Sequence, residues 1–167
     1  NTPLDDRDAG IIETMNGTLL VSWFTSLAFE RKPDYVNHAK TLTPEVREEW
    51  LGNWVHRSED GGNTWNEPVR THVTAPHGPI QLKDGRLIYL GNMEVEGELS
   101  VAAEASNDEG RTWEVMGLLP LTDHMRLNEL CEPHLVEIPD GRLIGMFRIE
   151  TPDLNQRYLY QSESSDG

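Results

Sequence analysis

One eight-residue pattern occurs twice in this chain and begins a third time, and no other feature restricts the fold so tightly. It reads Ser58-Glu59-Asp60-Gly61-Gly62-Asn63-Thr64-Trp65 and again Ser106-Asn107-Asp108-Glu109-Gly110-Arg111-Thr112-Trp113, S-x-D-x-G-x-T-W in both. Ser164-Ser165-Asp166-Gly167 opens a third copy. Short Ser and Asp side chains bond turn backbone, Gly supplies a left-handed position and Trp buries a broad face, so the pattern staples a hairpin. Asp60 and Asp108 are thus read as turn residues rather than as acids or bases.

A two-residue turn precedes each copy: Asn16-Gly17, Asp84-Gly85 and Asp140-Gly141. Both turn positions take positive φ, which makes Asn-Gly and Asp-Gly strong hairpin signals. Strand-like runs flank each turn: Ile11-Ile12 and Leu19-Leu20-Val21, Pro79-Ile80 and Leu87-Ile88-Tyr89-Leu90, Leu135-Val136 and Leu143-Ile144. A third strand is predicted at 53–57, 99–105 and 157–161, and a fourth at 68–73 and 114–119. The unit is a four-stranded meander of roughly 50 to 60 residues, which predicts an all-β chain of propeller blades. The blades fall at about 8–73, 74–121 and 130–167, with an insertion at 26–52 inside the first. Within the insertion the one helical stretch expected is 43–51, where Thr43 caps and Pro44 suits the first turn. Insertions at such places rim binding faces.

Composition narrows the partners. With 37% hydrophobic and 26% charged residues the chain can bury one ordinary core. Lys plus Arg number 14 against 29 Asp plus Glu, a net charge of −15, which argues against nucleic acid or an anionic membrane as partner. An anionic ligand would need local arginines, and the basic residues are 11 Arg and 3 Lys; Arg grips a carboxylate with a planar fork. No window approaches the roughly 18 apolar residues of a membrane span, and residues 1–8 do not read as a signal peptide. The compartment is unread. Cys131 is the single cysteine, which excludes an internal disulfide and a multi-Cys zinc site. The six His residues lack zinc-ligand spacing, no Gly-rich phosphate loop follows a strand, and the acidic loops lack EF-hand spacing. No cofactor and no metal are expected.

The octapeptide is that of the Asp-box, or BNR, repeat, and through it the chain resembles the sialidase (neuraminidase) superfamily of six-bladed propellers, of which it would hold about three blades. Xyloglucanases, sortilin-like receptors and photosystem assembly factors share the box, so the box alone selects no activity. More specific is the run Glu132-Pro133-His134-Leu135-Val136-Glu137-Ile138-Pro139-Asp140-Gly141-Arg142-Leu143, followed by Arg148. It is similar, in register, to the sialidase segment E-x-x-V-V-E-L-x-D-G-x-L and the arginine after it. The resemblance implies that Glu132 polarises a nucleophilic tyrosine and that Arg148 belongs to an arginine triad for the substrate carboxylate. It puts the first arginine of that triad at Arg7, where Arg7-Asp8-Ala9 stands in place of the family's R-I-P. It puts the acid/base aspartate at Asp34, within the insertion. The third arginine and the tyrosine would come from later blades, so the site is expected to be incomplete in this chain.

Aligning the repeats on their turns sets Arg7 and Asp8, Pro76 and His77, and Cys131 and Glu132 at equivalent inner-strand starts, where the axial pocket of a propeller lies. Strand alternation puts Glu132 and His134 on one face. Candidate catalytic residues are therefore Glu132 and Asp34, and candidate substrate-binding residues Arg7, Arg148, His77 and His134. Plainer readings stay open: a solvated strand-end Glu132, a turn-capping His77, and an Arg148 paired with an acidic neighbour. Trp65 and Trp113 read as core, whereas Trp50 and Trp54 read as sugar-stacking residues.

The expected function is that of an exo-acting, retaining glycoside hydrolase of sialidase type, on terminal sialic acid or a related acidic sugar; such enzymes use a tyrosine nucleophile. Alternatives are a non-catalytic module that binds carbohydrate or protein, and a hydrolase for another glycan that uses two carboxylates. Open blade faces predict self-association, including a homodimer that closes the ring.

Overall fold

The computed structural model describes residues 2–120, 122, 126–153 and 157–165. Asn1, His124 and the Asp166-Gly167 end of the third octapeptide lie outside them. The described strands form three antiparallel sheets. The first runs β1 (Asp5–Glu13), β2 (Leu19–Ser26), β3 (Asn53–Ser58), β4 (Val69–Thr71) in spatial order. The second runs β5 (Ile80–Gln81), β6 (Leu87–Val95), β7 (Glu98–Ser106), β8 (Glu114–Leu118), and the third β9 (Leu130–Glu137), β10 (Leu143–Ile149), β11 (Leu159–Ser164). Each sheet is a meander in chain order with its first strand, the inner strand of the expected blade, at one edge. The third strand of the third unit lies at Leu159–Ser164 rather than 157–161.

The two octapeptides fold alike because their short polar side chains satisfy the same turn amides. Ser58 Oγ donates to Asp60 Oδ1 at 2.8 Å, and Thr64 N and Oγ1 donate to the two Asp60 oxygens at 2.8 and 2.6 Å. Ser106, Asp108 and Thr112 repeat this set at 2.8, 2.9 and 2.7 Å. These bonds, those from Thr64 first, pull the Asp60 carboxyl down to about 2, so it stays an acceptor across the ordinary pH range. The turn needs two successive left-handed residues. Gly61 and Gly62 supply them in the first copy, Glu109 (φ 61°) and Gly110 in the second. A glutamate there costs about 1 kcal/mol of backbone strain. That strain is offset by bonds to the neighbouring sheet: the Glu109 carboxylate accepts from Thr14 Oγ1 at 2.7 Å and Asn16 Nδ2 at 3.0 Å.

The sheets pack face to face. Leu20 and Val55 of the first meet Leu87, Tyr89, Ala102 and Trp113 of the second. Ile88 and Ala105 of the second meet Leu135 and Leu143 of the third, with Val101, Leu130, Phe147 and Ile149 alongside. The equivalent tryptophans differ: Trp113 is buried under the first sheet, while Trp65 is 37% exposed, since no described sheet covers its face. The core expectation therefore holds for Trp113 and is corrected for Trp65. On the third sheet Val136 and Met146 are likewise exposed.

The segment that crosses from the first sheet to the second is gripped along its length. Glu104 of β7, fully buried, accepts from His72 N at 3.0 Å and Val73 N at 3.5 Å and lies 2.9 Å from His72 Nδ1. Burial pushes its carboxyl above the usual range, against the pull of the His72 bonds. Tyr89 Oη donates to Ala75 O at 2.9 Å and accepts from Ala75 N at 3.0 Å. Gly10 of β1 then packs directly on the His77-Gly78 backbone.

The insertion holds more helix than its sequence signals suggest. Helix α2 (Pro44–Trp50) forms as expected, with Thr43 Oγ1 accepting from Val46 N at 3.3 Å. Ahead of it come 3-10 turns at Ala28–Arg31 and Pro33–Tyr35 and a one-turn helix α1 (Val36–Ala39). Phe29 and Leu42 bury against Leu4, so packing rather than helical propensity holds these short turns. No described helix is long and apolar enough to cross a membrane.

Four substitutions have stability outcomes that urea unfolding reads. A Cβ at Gly10 would stand 2.6 Å from Gly78 N and His77 C, so Gly10→Ala is expected to destabilise by about 2–3 kcal/mol. Gly17→Ala, strained at φ 81° but meeting nothing within 4 Å, is expected to cost only about 1 kcal/mol. Glu104→Ala strands the amides of His72 and Val73 and is expected to cost about 2–3 kcal/mol, with Glu104→Gln, which keeps one acceptor, near half of that.

Candidate functional site

The inner strands of the first and third sheets share one irregularity. Pairing of β1 with β2 shifts between Arg7 and Gly10, and pairing of β9 with β10 shifts between Met146 and Arg148. At the two bulges Asp8 (φ 52°) and Glu132 (φ 49°) take left-handed backbone. Each stands eight residues before its hairpin residue, Asn16 or Asp140. A bulge re-aims the side chain it carries. Pro133, buried within the second bulge, has no amide to lose from the ladder there. Strict alternation, which sets Glu132 and His134 on one face, is thus broken between them, and it is the bulge that turns Glu132 onto Arg148.

That contact is a two-point fork. Arg148 Nε donates to Glu132 Oε2 at 2.6 Å and Nη2 to Oε1 at 2.9 Å, while Nη1 lies 3.3 Å from Glu150 Oε2. The bonds from Arg148 hold the Glu132 carboxyl below the usual carboxylate range, with a smaller contribution from His77. The same bonds raise the guanidinium above its own ordinary value. Glu132 is therefore an ionised acceptor, not a proton donor. Beside it, burial pushes the Cys131 thiol up, which favours the protonated sulfur.

His77, at the end of the gripped crossover, meets His134 of β9 edge to face, ring centroids 5.2 Å apart. Burial, and then the neighbouring His77, lower the His134 pKa, which favours the neutral ring. The structure thus brings four of the candidates together: Glu132, Arg148, His77 and His134. Glu150, which the sequence reading passed over, joins them; it stands two residues beyond Arg148, the spacing that returns a side chain to the same face of a strand.

Arg7 and Asp34 stand apart. The Arg7 guanidinium lies 5.7 Å over the Phe24 ring, and Arg7 and Asp8 line a groove of about 690 Å³ with Trp23, Trp50, His56 and Trp65. Asp34 is exposed in the turn Pro33–Tyr35. No bond or ion pair among the described residues joins either to Glu132 or Arg148. Trp54 is corrected as a stacking residue: it is buried between Trp23 and Trp50, and Arg70 covers its ring at 4.3 Å. Trp50 keeps a partly open ring on the groove. Among the described residues no three His, Cys, Asp or Glu side chains are grouped to hold a metal.

Solved structures share this architecture. A Dyadobacter fermentans protein of unknown function superposes with a TM-score of 0.70 at 19% identity, over 97% of this chain and 48% of its own. The Hadza microbial sialidase Hz136 gives 0.64 at 19% identity, over 96% of this chain and 31% of its own. Penicillium chrysogenum α-L-arabinanase, solved with arabinobiose, gives 0.62 at 19% identity, over 99% and 50%. The chain spans half or less of the length of each. No curated protein matches it. At such identities the likeness establishes the β-propeller fold alone. The family rests on sequence: the BNR repeat-like domain model matches residues 17–167, nearly all of the chain and both complete octapeptides. With the meander blades in place, the chain belongs to the BNR repeat-like domain family.

Proposed function

We propose that this chain carries part of the catalytic mouth of a glycoside hydrolase that removes a terminal sugar from a glycan, with sialic acid or a related acidic sugar as substrate. The observation that carries the reading is the Glu132–Arg148 fork on a strained, left-handed backbone at an inner-strand start. Strain of about 1–3 kcal/mol at such a position persists only where the surroundings fix it, and it gathers at functional sites. A carboxylate locked in the ionised form suits two tasks in this chemistry. It stabilises the positive charge that develops on the sugar ring, and it draws the proton from a nucleophilic phenol. Solved propellers of this architecture include a sialidase and an arabinanase, which supports a glycan as the ligand.

One observation favours the non-catalytic reading. All three guanidinium nitrogens of Arg148 are engaged by Glu132 and Glu150, and no described group bonded to Glu132 is a proton donor for a leaving sugar other than that guanidinium. Turnover separates the two. A propeller that joins these blades to ones supplying the tyrosine and the remaining arginine is expected to release the fluorophore from a 4-methylumbelliferyl sialoside, and Glu132→Gln to lower its kcat at least about 100-fold with KM within a few-fold. Release from the corresponding arabinofuranoside but not the sialoside would keep the hydrolase and remove the acidic sugar. Retardation in a glycan-containing gel without release from either would replace the hydrolase by a binding module.

A further inference from the structure

The mouth has a charge problem if its ligand is acidic. Among the described residues Arg148 is the one cation bonded at the fork, and it faces two carboxylates, Glu132 at 2.6 and 2.9 Å and Glu150 at 3.3 Å. With neutral imidazoles this cluster is net negative by one charge, within a chain of net charge −15. A carboxylated sugar approaching it would be repelled. The groups that can reverse the sign are already in place: two histidines from two different blades, 5.2 Å apart, one of them close enough to influence the Glu132 carboxylate.

We infer that His77 and His134 form a proton-dependent anchor for the carboxylate of an acidic sugar, supplying on protonation the positive charge that Arg148 spends on Glu132 and Glu150. This rests on the sugar-binding reading above and names what makes that site accept an acid. Histidine is the side chain whose charge changes between pH 5 and 8. Two imidazolium rings this close repel one another, so the second proton is held well only with an anion beside the pair. Sugar and proton are then taken up together.

The surroundings leave the two rings as the adjustable groups. On β9 the neighbours are Glu132 and the protonated Cys131, and on β10 Arg148 with Glu150 just past its end. From β1, which packs on the His77-Gly78 backbone through Gly10, the charged residues at this end are Asp5, Asp6, Arg7 and Asp8. β6, which packs along β9, carries Glu94 as its one charged residue. Glu132 is held ionised by its fork, and Arg148 is charged throughout.

The sign follows from linkage. Burial and His77 disfavour the charged His134 in the free protein, and a bound carboxylate favours it. A pKa that rises on binding gives affinity that is full below the free-state value and is lost as pH rises through the bound-state value. Calorimetric titration with N-acetylneuraminic acid, whose own carboxylate stays ionised, is expected to show at least about a tenfold gain in affinity from pH 7.5 to 5.5. L-arabinose, which carries no charge, is expected to change less than about twofold. The double variant His77→Gln/His134→Gln is expected to lose the gain. Because His134 is half-buried, the exposed His77→Gln alone and the imidazole NMR titration of the unaltered chain provide independent readouts. Saturating acid sugar should move the His77 and His134 midpoints upward. A gain that survives the double variant, a parallel gain for L-arabinose, or unmoved midpoints would overturn the anchor. If L-arabinose binds and the acid binds at neither pH, the anchor falls while a sugar site stands; if neither binds, both fall.

Discussion

The contact on which the site depends is the approach of β1 to the crossover segment at Gly10. Only a hydrogen at that position lets the His77-Gly78 backbone lie against the inner strand of the first sheet, because any Cβ would sit 2.6 Å from it. Farther back the same segment is held by the buried Glu104 and by Tyr89 Oη. These are not contacts within one blade: each ties the end of the first sheet to the body of the second. Packing of aliphatic faces alone would leave the sheets free to slide, since hydrophobic burial is not directional. Hydrogen bonds at fixed length and a backbone contact at van der Waals limit remove that freedom, and His77 thereby meets His134 of a third element at a defined distance.

At the fork the logic is electrostatic. Glu132 and Arg148 are both about two-fifths exposed, so their mutual attraction is screened and contributes little to stability. Its value lies in geometry. A planar guanidinium engaging both oxygens fixes the carboxylate plane as well as its position. Glu150 on the third nitrogen fixes the guanidinium in turn. The cost of this arrangement is that the arginine has no free edge for an anionic ligand, which shifts attention to the imidazoles beside it.

Much of the fold is legible in the sequence because the chain repeats its own local chemistry. S-x-D-x-G-x-T-W and the three Asn-Gly or Asp-Gly turns act within a few residues, so their consequences are readable without tertiary knowledge. The turn joining β6 and β7 is of the same kind but is written Glu96-Gly97, with Glu96 at φ 54°, a residue that carries no turn signal of its own. The short helical turns before Thr43 escape for the opposite reason: they are held by Phe29 and Leu42 against Leu4, a contact between distant residues. At the site, spacing from the turns located Glu132 and His77 and the sialidase-like run located Arg148, whereas the bulge could not be read from alternation, which assumes an unbroken strand. The same spacing pairs Asp8, rather than Arg7, with Glu132, and the two share left-handed backbone.

Four described carboxylate residues hold left-handed backbone, and apart from Glu96 in its hairpin turn their compensations differ. Glu109 is braced by Thr14 and Asn16 of the adjoining sheet, so its strain is the cost of a link between blades. Glu132 is braced by Arg148 of its own sheet, so its strain fixes where a charge points. Asp8 has no such brace among the described residues, and its shorter side chain is also the type that tolerates this conformation with least penalty. One backbone device therefore serves twice as a clamped glutamate and once as an unclamped aspartate. The unclamped one lines the aromatic groove of the first sheet, and no bond from a described side chain braces its carboxylate.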